Sequence, residues 1–407
     1  MNKLRIFTND HIWTDTDENR RYGHLGTCDL EDPTVQYDRP GKTSALLATA
    51  QALVHEVQRA GEASQITIST SHRIPDRSLL LQGHTESYLE ELRAASLAAR
   101  ERVAKGEPAI APFGKEADAS PGTLDAALSS VGSALDAVDA VLSGSNTTAF
   151  ALVWPPGHHA EPSHAMGFCY LSTAALAAIY ARDHATASTT GQSYRVALID
   201  IDHHRGNGSA SVLANQPDIL FIDQVYRSSY DENTGRYTDG TLNPTTGTYT
   251  GAGKEYPYTR DDRSIGACAH PVVDAPNIMK LEHEGFQNAD TLLTQFTEKA
   301  LPRLNAFKPD LIIWSVGLDS AVGDPLGGLG MTPEAFYTLI KGVRLVFPHA
   351  HHCGILEGGY DPVISAPCLR TTLLGFCDLK NEGDSPASLT SANQFDEARR
   401  LFAKVGG

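Results

Sequence analysis

Short, almost continuously apolar segments alternate with longer segments of helical periodicity along most of this 407-residue chain. Those with the length and composition of buried strands are LRIFT, QITIST, FALVW, RVALIDID, DILFID, DLIIWSVG and HCGILEGG. Strands that are apolar on both faces are typical of a parallel sheet covered by helices on each side. The alternation therefore predicts an α/β fold with a central, mainly parallel sheet.

Between these strands, helical spacing of apolar residues predicts helices over residues 43–60, 121–142, 171–185 and 332–346. Hydrophobic residues make up 41% of the chain, which is enough to build a large core. Neither an internal repeat nor a linker divides the sequence. We therefore expect a single domain over residues 1–407.

The formal net charge of -16 argues against nucleic acid as a partner, because binding phosphates requires a basic surface. The N-terminus lacks the apolar core of a signal peptide, and no run of about 18 apolar residues predicts a membrane span. The six cysteines form no CxxC pair, so we expect a reducing, cytoplasmic setting. Both a monomer and a homo-oligomer are compatible with the sequence.

The segment VALIDIDHHRGNGSA carries acidic residues at the end of a predicted strand. If the strand continues far enough, Asp200, Asp202 and His204 lie on one face of it. Oxygen and nitrogen ligands of this kind suit Zn²⁺, Fe²⁺, Co²⁺ or Mn²⁺. The alternative is a polar strand end whose aspartates cap the next helix. Two acids on an apolar strand are costly without a partner, which favours the metal.

A second apolar strand, in DLIIWSVGLDSAVGDPLGG, ends at Asp319. By itself this residue is better explained as part of a turn. Together with Asp202 and His204 it provides three protein ligands and leaves a fourth position for water. That pattern is typical of a catalytic metal site.

Two further strand ends carry residues with catalytic chemistry. In WPPGHHAEP, His158 and His159 favour a general base and its electrostatic neighbour over two structural histidines. In ILEGGYDP, Gly358 and Gly359 allow the backbone and a substrate to approach closely. Tyr360 would then donate a hydrogen bond to an oxyanion, although the same letters also suit a plain turn.

Taken in order, these four segments resemble the histone deacetylase family, which includes bacterial histone deacetylase-like amidohydrolases and acetylpolyamine deacetylases. The shared motifs are Pro-Pro-Gly-His-His-Ala, Asp-x-Asp-x-His-His-Gly-Asn-Gly, Gly-x-Asp followed by Gly-Asp-Pro-Leu-Gly, and Gly-Gly-Tyr. The resemblance is clearest over residues 65–375. It implies the arginase/deacetylase α/β fold, with a parallel sheet of about eight strands flanked by helices.

The resemblance implies a role for each catalytic residue. His159 matches the general base and acid, and His158 matches its electrostatic partner. Asp200 and Asn207 match the groups that orient these two rings. Tyr360 matches the residue that polarises the amide carbonyl.

The implied cofactor is one catalytic zinc ion, with Asp202, His204 and Asp319 as its ligands. The family also binds a structural potassium ion close to the zinc, beside Asp200, Asp202 and His204. The sequence departs from the motif at Arg205, where the family has a second histidine. That position is not a zinc ligand, so we expect activity to survive with different local packing.

The implied substrate-binding residues are Gly167, Phe168, Leu326, Gly358 and Gly359. Gly167 and Phe168 match one wall of the tunnel for acyl-lysine, and Leu326 matches an apolar residue at its rim. The aromatic residue of the opposite wall cannot be assigned from the sequence, and its candidates are Tyr226, Tyr230 and Tyr237.

The implied activity is zinc-dependent hydrolysis of acetyl-lysine, or another short acyl-lysine, in proteins or peptides. Leu326 favours this substrate, because an apolar rim suits the flanks of an acyl-lysine. The alternative substrate is an acetylated polyamine or another small amide. An acidic first loop would favour a polycation, through Asp10, Asp15, Asp17 and Glu18. A non-catalytic acyl-lysine binder is disfavoured, because every expected catalytic position is filled.

Overall fold

Eight parallel strands form one sheet at the centre of the fold. The computed structural model describes residues 3–9, 27–28, 36–38, 40–61, 65–114, 116–144, 147–185, 193–227, 230–231, 236–237, 241–243, 248–250, 273–284 and 287–377. The strands are β1 (Lys3–Asn9), β2 (Ile66–Ser71), β3 (Thr147–Leu152), β4 (Val196–Asp200), β5 (Ile219–Arg227), β6 (Ile278–Glu284), β7 (Leu311–Val316) and β8 (His351–Leu356). Their order across the sheet is β6-β5-β4-β7-β8-β3-β1-β2.

The predicted α/β fold with a parallel sheet is confirmed, since every pair of neighbouring strands in this sheet is parallel. Seven of the eight strands coincide with the predicted apolar segments. The exception is β6, whose sequence IMKLEHE contains charged residues. It lies at an edge of the sheet and has one neighbouring strand, so it does not need the continuous apolar sequence of a central strand.

Ten α-helices surround the sheet within the described part of the chain. They are α1 (Pro40–Arg59), α2 (Arg77–Gly83), α3 (Glu86–Ala104), α4 (Thr123–Ser143), α5 (Thr173–His184), α6 (Asn207–Leu213), α7 (Ala289–Gln295), α8 (Leu301–Phe307), α9 (Pro333–Val346) and α10 (Pro362–Phe376). A π-helical segment, Phe296–Ala300, joins α7 to α8, and a 3₁₀ turn, Leu318–Ser320, follows β7. Four strand pairs lie outside the sheet: Thr27–Cys28 with Gln36–Asp38, Ala111–Gly114 with Ala117–Ala119, Tyr230–Asp231 with Arg236–Tyr237, and Thr241–Asn243 with Thr248–Thr250.

The two faces of the sheet are covered by separate groups of helices. On β3, Phe150 and Leu152 pack into a core cluster with α1 and α7–α10, while Ala149 and Ala151 pack into a second cluster with α2–α6. This division follows from the alternation of side chains along a strand. Helix α4 is apolar and long enough to cross a membrane, but it packs on β1 and β3 as a core helix.

The carboxyl ends of β4, β7, β8 and β3 are consecutive along one edge of the sheet. The loops that follow these four strands carry the four motifs described above. In open parallel sheets, ligands bind beyond the carboxyl ends of the strands. The strand order therefore brings motifs that are far apart in sequence to one place.

Candidate active site

Asp202, His204 and Asp319 come together beyond the ends of β4 and β7, as the sequence predicted. One ligand atom from each lies within 4.8 Å of the other two. His204 Nδ1 is 3.1 Å from Asp202 Oδ1 and 3.0 Å from Asp319 Oδ2. Both carboxylates are fully buried. Two carboxylate oxygens and one imidazole nitrogen suit Zn²⁺, and three protein ligands leave a position for water.

The condition that β4 continues through His204 is not met, because the strand ends at Asp200. Backbone N–H groups orient the carboxylates instead of strand alternation. Asp202 Oδ1 accepts the N–H of His204 at 2.8 Å, and its Oδ2 accepts the N–H of Gly358 at 3.0 Å. Asp319 Oδ1 accepts the N–H of His203 at 3.1 Å. The loop after β4 thus orients both carboxylates, and the loop after β8 provides a further contact to Asp202.

Gly358 leaves the space in which the two carboxylates converge. A Cβ atom added to it would lie 2.3 Å from Asp319 Oδ2 and 2.7 Å from Asp202 Oδ2. Such contacts are too short for any side chain, so one carboxylate would have to move. Gly359 has a φ of 121°, a left-handed conformation that glycine adopts readily. The sequence predicted that this glycine pair lets the backbone and a substrate approach closely. Gly358 also lets the carboxylates of the two predicted aspartate ligands approach each other.

Gly358→Ala is expected to lower the metal content of the purified protein, because the added methyl group separates the Asp202 and Asp319 carboxylates. Metal per chain, measured by atomic absorption, should fall to about a tenth of the wild-type value, as expected when groups that orient a ligand are disturbed. A matched control is Gly354→Ala, whose Cβ would lie 2.4 Å from Phe150 in the core. That variant should lose stability but keep its metal. Full metal content in Gly358→Ala would show that the carboxylates tolerate the displacement.

His158 and His159 lie beside the predicted metal ligands, with their ring centroids 3.9 Å apart and their planes tilted by 41°, and both are buried. His158 Nδ1 lies 3.1 Å from Asp200 Oδ2, and His159 Nδ1 lies 2.7 Å from Asn207 Oδ1. The His159 ring is 5.9 Å from the His204 ring. Each histidine therefore has a polar partner on its Nδ1, as the sequence predicted.

The contacts of Asn207 define the tautomer of His159. The amide nitrogen of Asn207 donates to Glu161 Oε1 at 2.8 Å, so its oxygen is the atom that faces His159. Because an amide oxygen only accepts hydrogen bonds, His159 Nδ1 must carry the proton. When the ring is neutral, Nε2 is left with a lone pair that can accept a proton.

The two neighbouring histidines have opposite pKa shifts. Burial lowers the pKa of His159 well below its ordinary value of 6.5, and the charges on His158 and His204 lower it further. Burial also disfavours the charged form of His158, but the Asp202 and Asp200 carboxylates outweigh it and raise that pKa well above 6.5. These shifts favour a neutral His159 next to a charged His158, and a neutral imidazole is the form that can accept a proton.

Two buried acids that the sequence did not single out hold these loops in place. Glu357 accepts the N–H of Gly157 at 2.7 Å, the N–H of His158 at 3.1 Å and the hydroxyl of Ser315 at 2.7 Å. It therefore ties the histidine loop to β7 and β8. The signal available in the sequence was its position in ILEGGY, where an acid directly follows an apolar strand.

The second such acid is Asp324, which lies in the Gly-Asp-Pro-Leu-Gly motif after β7. Its Oδ2 accepts the N–H of Tyr360 at 2.7 Å, and its Oδ1 accepts the N–H of Leu326 at 3.0 Å. The carbonyl of Leu326 in turn lies 3.0 Å from His204 Nε2. Asp324 thereby connects a predicted rim residue to the predicted carbonyl-polarising tyrosine.

The predicted tunnel residues lie next to these groups. The Phe168 ring packs edge-on against Tyr360 with a centroid distance of 5.6 Å, and Tyr360 is 6.4 Å from the His204 ring. Gly167 and Phe168 have φ values of 53° and 65°, and the N–H of Phe168 donates to the carbonyl of Glu116. The turn thus holds the Phe168 ring against Tyr360, which lies near His204.

Several sequence predictions concern side chains that lie outside the described residues. They are the candidates for the opposite tunnel wall, Tyr226, Tyr230 and Tyr237, and the acidic first-loop residues, Asp10, Asp15, Asp17 and Glu18. Their positions relative to the site stay predictions.

Comparison with known proteins points to one family. Residues 44–375 match the family described as "Histone deacetylase domain". The chain is 31% identical to "Histone deacetylase 8" of Arabidopsis thaliana, over 73% of this chain and 69% of that protein. It is 28% identical to "Polyamine deacetylase HDAC10" of Homo sapiens, over 85% of this chain but 46% of that protein, so it spans about half the length of the human relative.

A solved structure with the same fold is the crystal structure of the HDA15 HD domain. It superimposes with a TM-score of 0.66 and covers 99% of this chain and 96% of that one. The sequence identity of 22% limits this similarity to the fold. It agrees with the eight-stranded arginase/deacetylase sheet implied by the sequence.

Proposed function

The chain belongs to the histone deacetylase family, and we propose that it hydrolyses the amide bond of acetyl-lysine, or another short acyl-lysine, in proteins or peptides. The observation that carries this proposal is the convergence of Asp202, His204 and Asp319 beside His159. A three-ligand metal site next to a buried neutral base is an arrangement suited to metal-assisted amide hydrolysis. The products are acetate and a free lysine amine.

We propose zinc as the single catalytic ion, because the donor set fits it: two carboxylates and one imidazole, with ligand atoms within 4.8 Å of one another. When bound, zinc supplies Lewis acidity for the amide carbonyl and lowers the pKa of a water. The carbonyl of Leu326 and the N–H groups around both aspartates keep the ligands oriented in the site.

His159 moves the protons in the proposed reaction. Its Nε2 accepts the proton of the attacking water, since Nδ1 is committed to Asn207. The same nitrogen then returns the proton to the leaving amine, so the ring ends as it began. His158 remains bound to Asp200 and contributes a positive charge beside His159.

Tyr360 is proposed to stabilise the transition state. Its backbone N–H is fixed by Asp324, and its ring packs on Phe168 and faces His204. From that position the phenol O–H donates to the oxygen that becomes negative when water attacks the carbonyl. The transition state is stabilised because the donor is already oriented before the negative charge develops on the oxygen.

An acyl-lysine side chain is favoured over a polyamine by the apolar character of Phe168 and Leu326. A methylene chain packs well against such side chains, whereas a cation gains from an acid. The relatives named above include both a histone deacetylase and a polyamine deacetylase, so family membership does not decide between the two substrates. We therefore base the choice of substrate on the residues at this rim. We therefore keep acetylated polyamines as the second candidate substrate.

The test is a side-by-side measurement of kcat/KM on acetyl-lysine peptides and on acetylated polyamines. The proposal predicts the higher value for the peptides. The reverse order would make polyamines the substrate class. No turnover of either would contradict the hydrolase assignment and leave an acyl-lysine binder.

Leu326→Glu is expected to shift the ratio of kcat/KM for polyamine over peptide by about tenfold or more. A carboxylate near a substrate ammonium group contributes roughly 1–4 kcal/mol, depending on its exposure. The matched control is Leu326→Gln, which has the same shape without the charge and should change the ratio little. Equal ratios in the Glu and Gln variants would show that Leu326 does not face the distal part of the substrate.

The reducing, cytoplasmic setting is also a proposal. It is supported by four buried cysteines with free thiols, Cys169, Cys353, Cys368 and Cys377.

A further inference from the structure

Arg205, which departs from the family motif, is buried beside the active site. It directly follows His204, and its Nε lies 3.5 Å from Asp223 Oδ2 on β5. Arg205 is 5% exposed and Asp223 is 0% exposed. At this separation the contact is an ion pair rather than a hydrogen bond. The other oxygen of Asp223 accepts the N–H of Gly206 at 3.0 Å, so the turn that carries Arg205 is attached to the same carboxylate.

Asp223 is coupled to the histidine pair through Asp200. The two aspartates are partners in the β4–β5 register, so their side chains emerge on the same face of the sheet. Asp200 Oδ2 in turn binds His158 Nδ1. A negative charge on Asp223 therefore acts on the carboxylate that holds His158.

The site contains many buried acids and few buried cations. Asp200, Asp202, Asp223 and Asp319 are all at most 1% exposed, and burying such charges is costly without a counter-ion. Among the residues that the structure describes, the buried Lys and Arg side chains are Arg205 and Arg344. Arg344 binds the carbonyl of Gly375. Arg205 is therefore the buried Lys or Arg that pairs with this group of acids.

We infer that Arg205 is a positioning residue, whose guanidinium is the internal counter-cation of Asp223 and thereby leaves Asp200 free to hold His158. Without this charge, Asp223 and Asp200 would repel each other across neighbouring strands, and the His158 contact would loosen. The effect of Arg205 on turnover rests on the proposed function, but its charge pairing with Asp223 does not.

The potassium ion implied by the family resemblance does not fit this arrangement. Asp200 Oδ1 accepts the N–H of Asp202, and Asp200 Oδ2 binds His158. The two oxygens of Asp223 face Gly206 and Arg205. Three of these four carboxylate oxygens thus already have a hydrogen-bond partner, and the fourth, Asp223 Oδ2, lies beside the Arg205 guanidinium, which supplies the positive charge there. The Arg205 side chain thus supplies the positive charge that a bound potassium ion would otherwise supply.

The test is a double-mutant cycle with Arg205→Gln, Asp223→Asn and the combined variant, measured on the full-length, metal-loaded protein. Arg205→Gln should lower kcat on acetyl-lysine peptides by about tenfold or more, with KM within about twofold, because it leaves a buried unpaired carboxylate. Adding Asp223→Asn should restore kcat to within about threefold of the wild type. A combined variant no more active than Arg205→Gln would overturn the inference, because a merely space-filling arginine gives that result.

Thermal unfolding separates this inference from the proposed function. Arg205→Gln should lower the unfolding midpoint by about 5 °C or more, and the combined variant should recover most of that loss, whether or not any substrate is turned over. Arg344→Gln is the control: it also removes a buried arginine and should lower the midpoint, but it should leave kcat unchanged. Additive losses of midpoint in the combined variant would contradict the charge pairing.

A salt comparison tests the absence of potassium from this position. The wild-type midpoint should agree within about 2 °C between potassium chloride and choline chloride of equal concentration, since ligand binding to the native state would otherwise raise it. A potassium-specific rise that disappears in Asp223→Asn would place the ion at this carboxylate and overturn the inference.

Discussion

His159→Ala is expected to lower kcat on acetyl-lysine peptides by about 10²–10⁴-fold, the range that a general base contributes. The variant lacks the nitrogen that accepts the proton of the attacking water. His159 is suited to this task, because burial and the neighbouring charges of His158 and His204 lower its pKa and keep it neutral. The metal content should stay at the wild-type value, since the ligands are Asp202, His204 and Asp319.

The control for this variant is His164→Ala. His164 belongs to the loop that follows β3, like His159, but it is exposed and lies beside Ser163. Its loss should leave kcat within about twofold of the wild type, as expected for a surface change. If His159→Ala kept more than a tenth of the wild-type kcat, another group would have to act as the base.

Tyr360→Phe is expected to lower kcat by about 10²–10³-fold, the effect of removing one donor to an oxyanion. KM should change little, because the phenylalanine ring keeps the packing of Tyr360 against Phe168. The metal content should also be unchanged, since the hydroxyl is not among the three predicted ligands. The measurement is kcat and KM on one peptide, together with metal per chain.

Tyr194→Phe is the matched control for the loss of a phenol hydroxyl. Tyr194 is buried before β4, and its hydroxyl has no hydrogen-bond partner among the residues that the structure describes. This variant should retain wild-type kcat. Wild-type kcat in Tyr360→Phe as well would remove Tyr360 from the mechanism.

The fold and the convergence of Asp202, His204 and Asp319 could be predicted because both depend on short stretches of sequence. Central strands such as β4 and β7 are apolar throughout, and acids at their carboxyl ends stand out against that background. Asp202 and Asp319 were found in this way. The edge strand β6 was missed because it has one neighbouring strand in the sheet and its sequence contains charged residues.

The groups that hold the site together could not be predicted, because their partners are distant in sequence. Glu357 binds backbone N–H groups some 200 residues earlier, and Asp324 binds Tyr360 across 36 residues. Spacing along the chain contains no signal for such contacts. The same holds for Asp202 and His204, which were expected on a strand face but are oriented by a turn and by Gly358.

Arg205 shows how a departure from a motif becomes informative once a structure is available. In the sequence it indicated only that local packing must differ. The structure supplies the partner, Asp223, which lies on the next strand and carried no recognisable motif of its own. Arg205 and Asp223 are 18 residues apart in the sequence. They come together because β4 pairs with β5.

The measurement that tests the central claim most directly is acetate release from an acetyl-lysine peptide before and after removal of the metal. We expect release by the purified protein to fall to background after treatment with a chelator. It should return to at least about half of the original rate when one equivalent of Zn²⁺ is added, because the ligand set fits that ion. Undiminished acetate release from protein shown to contain less than about a twentieth of an equivalent of metal would contradict the account, since a metal-dependent rate follows the fraction of sites that are occupied.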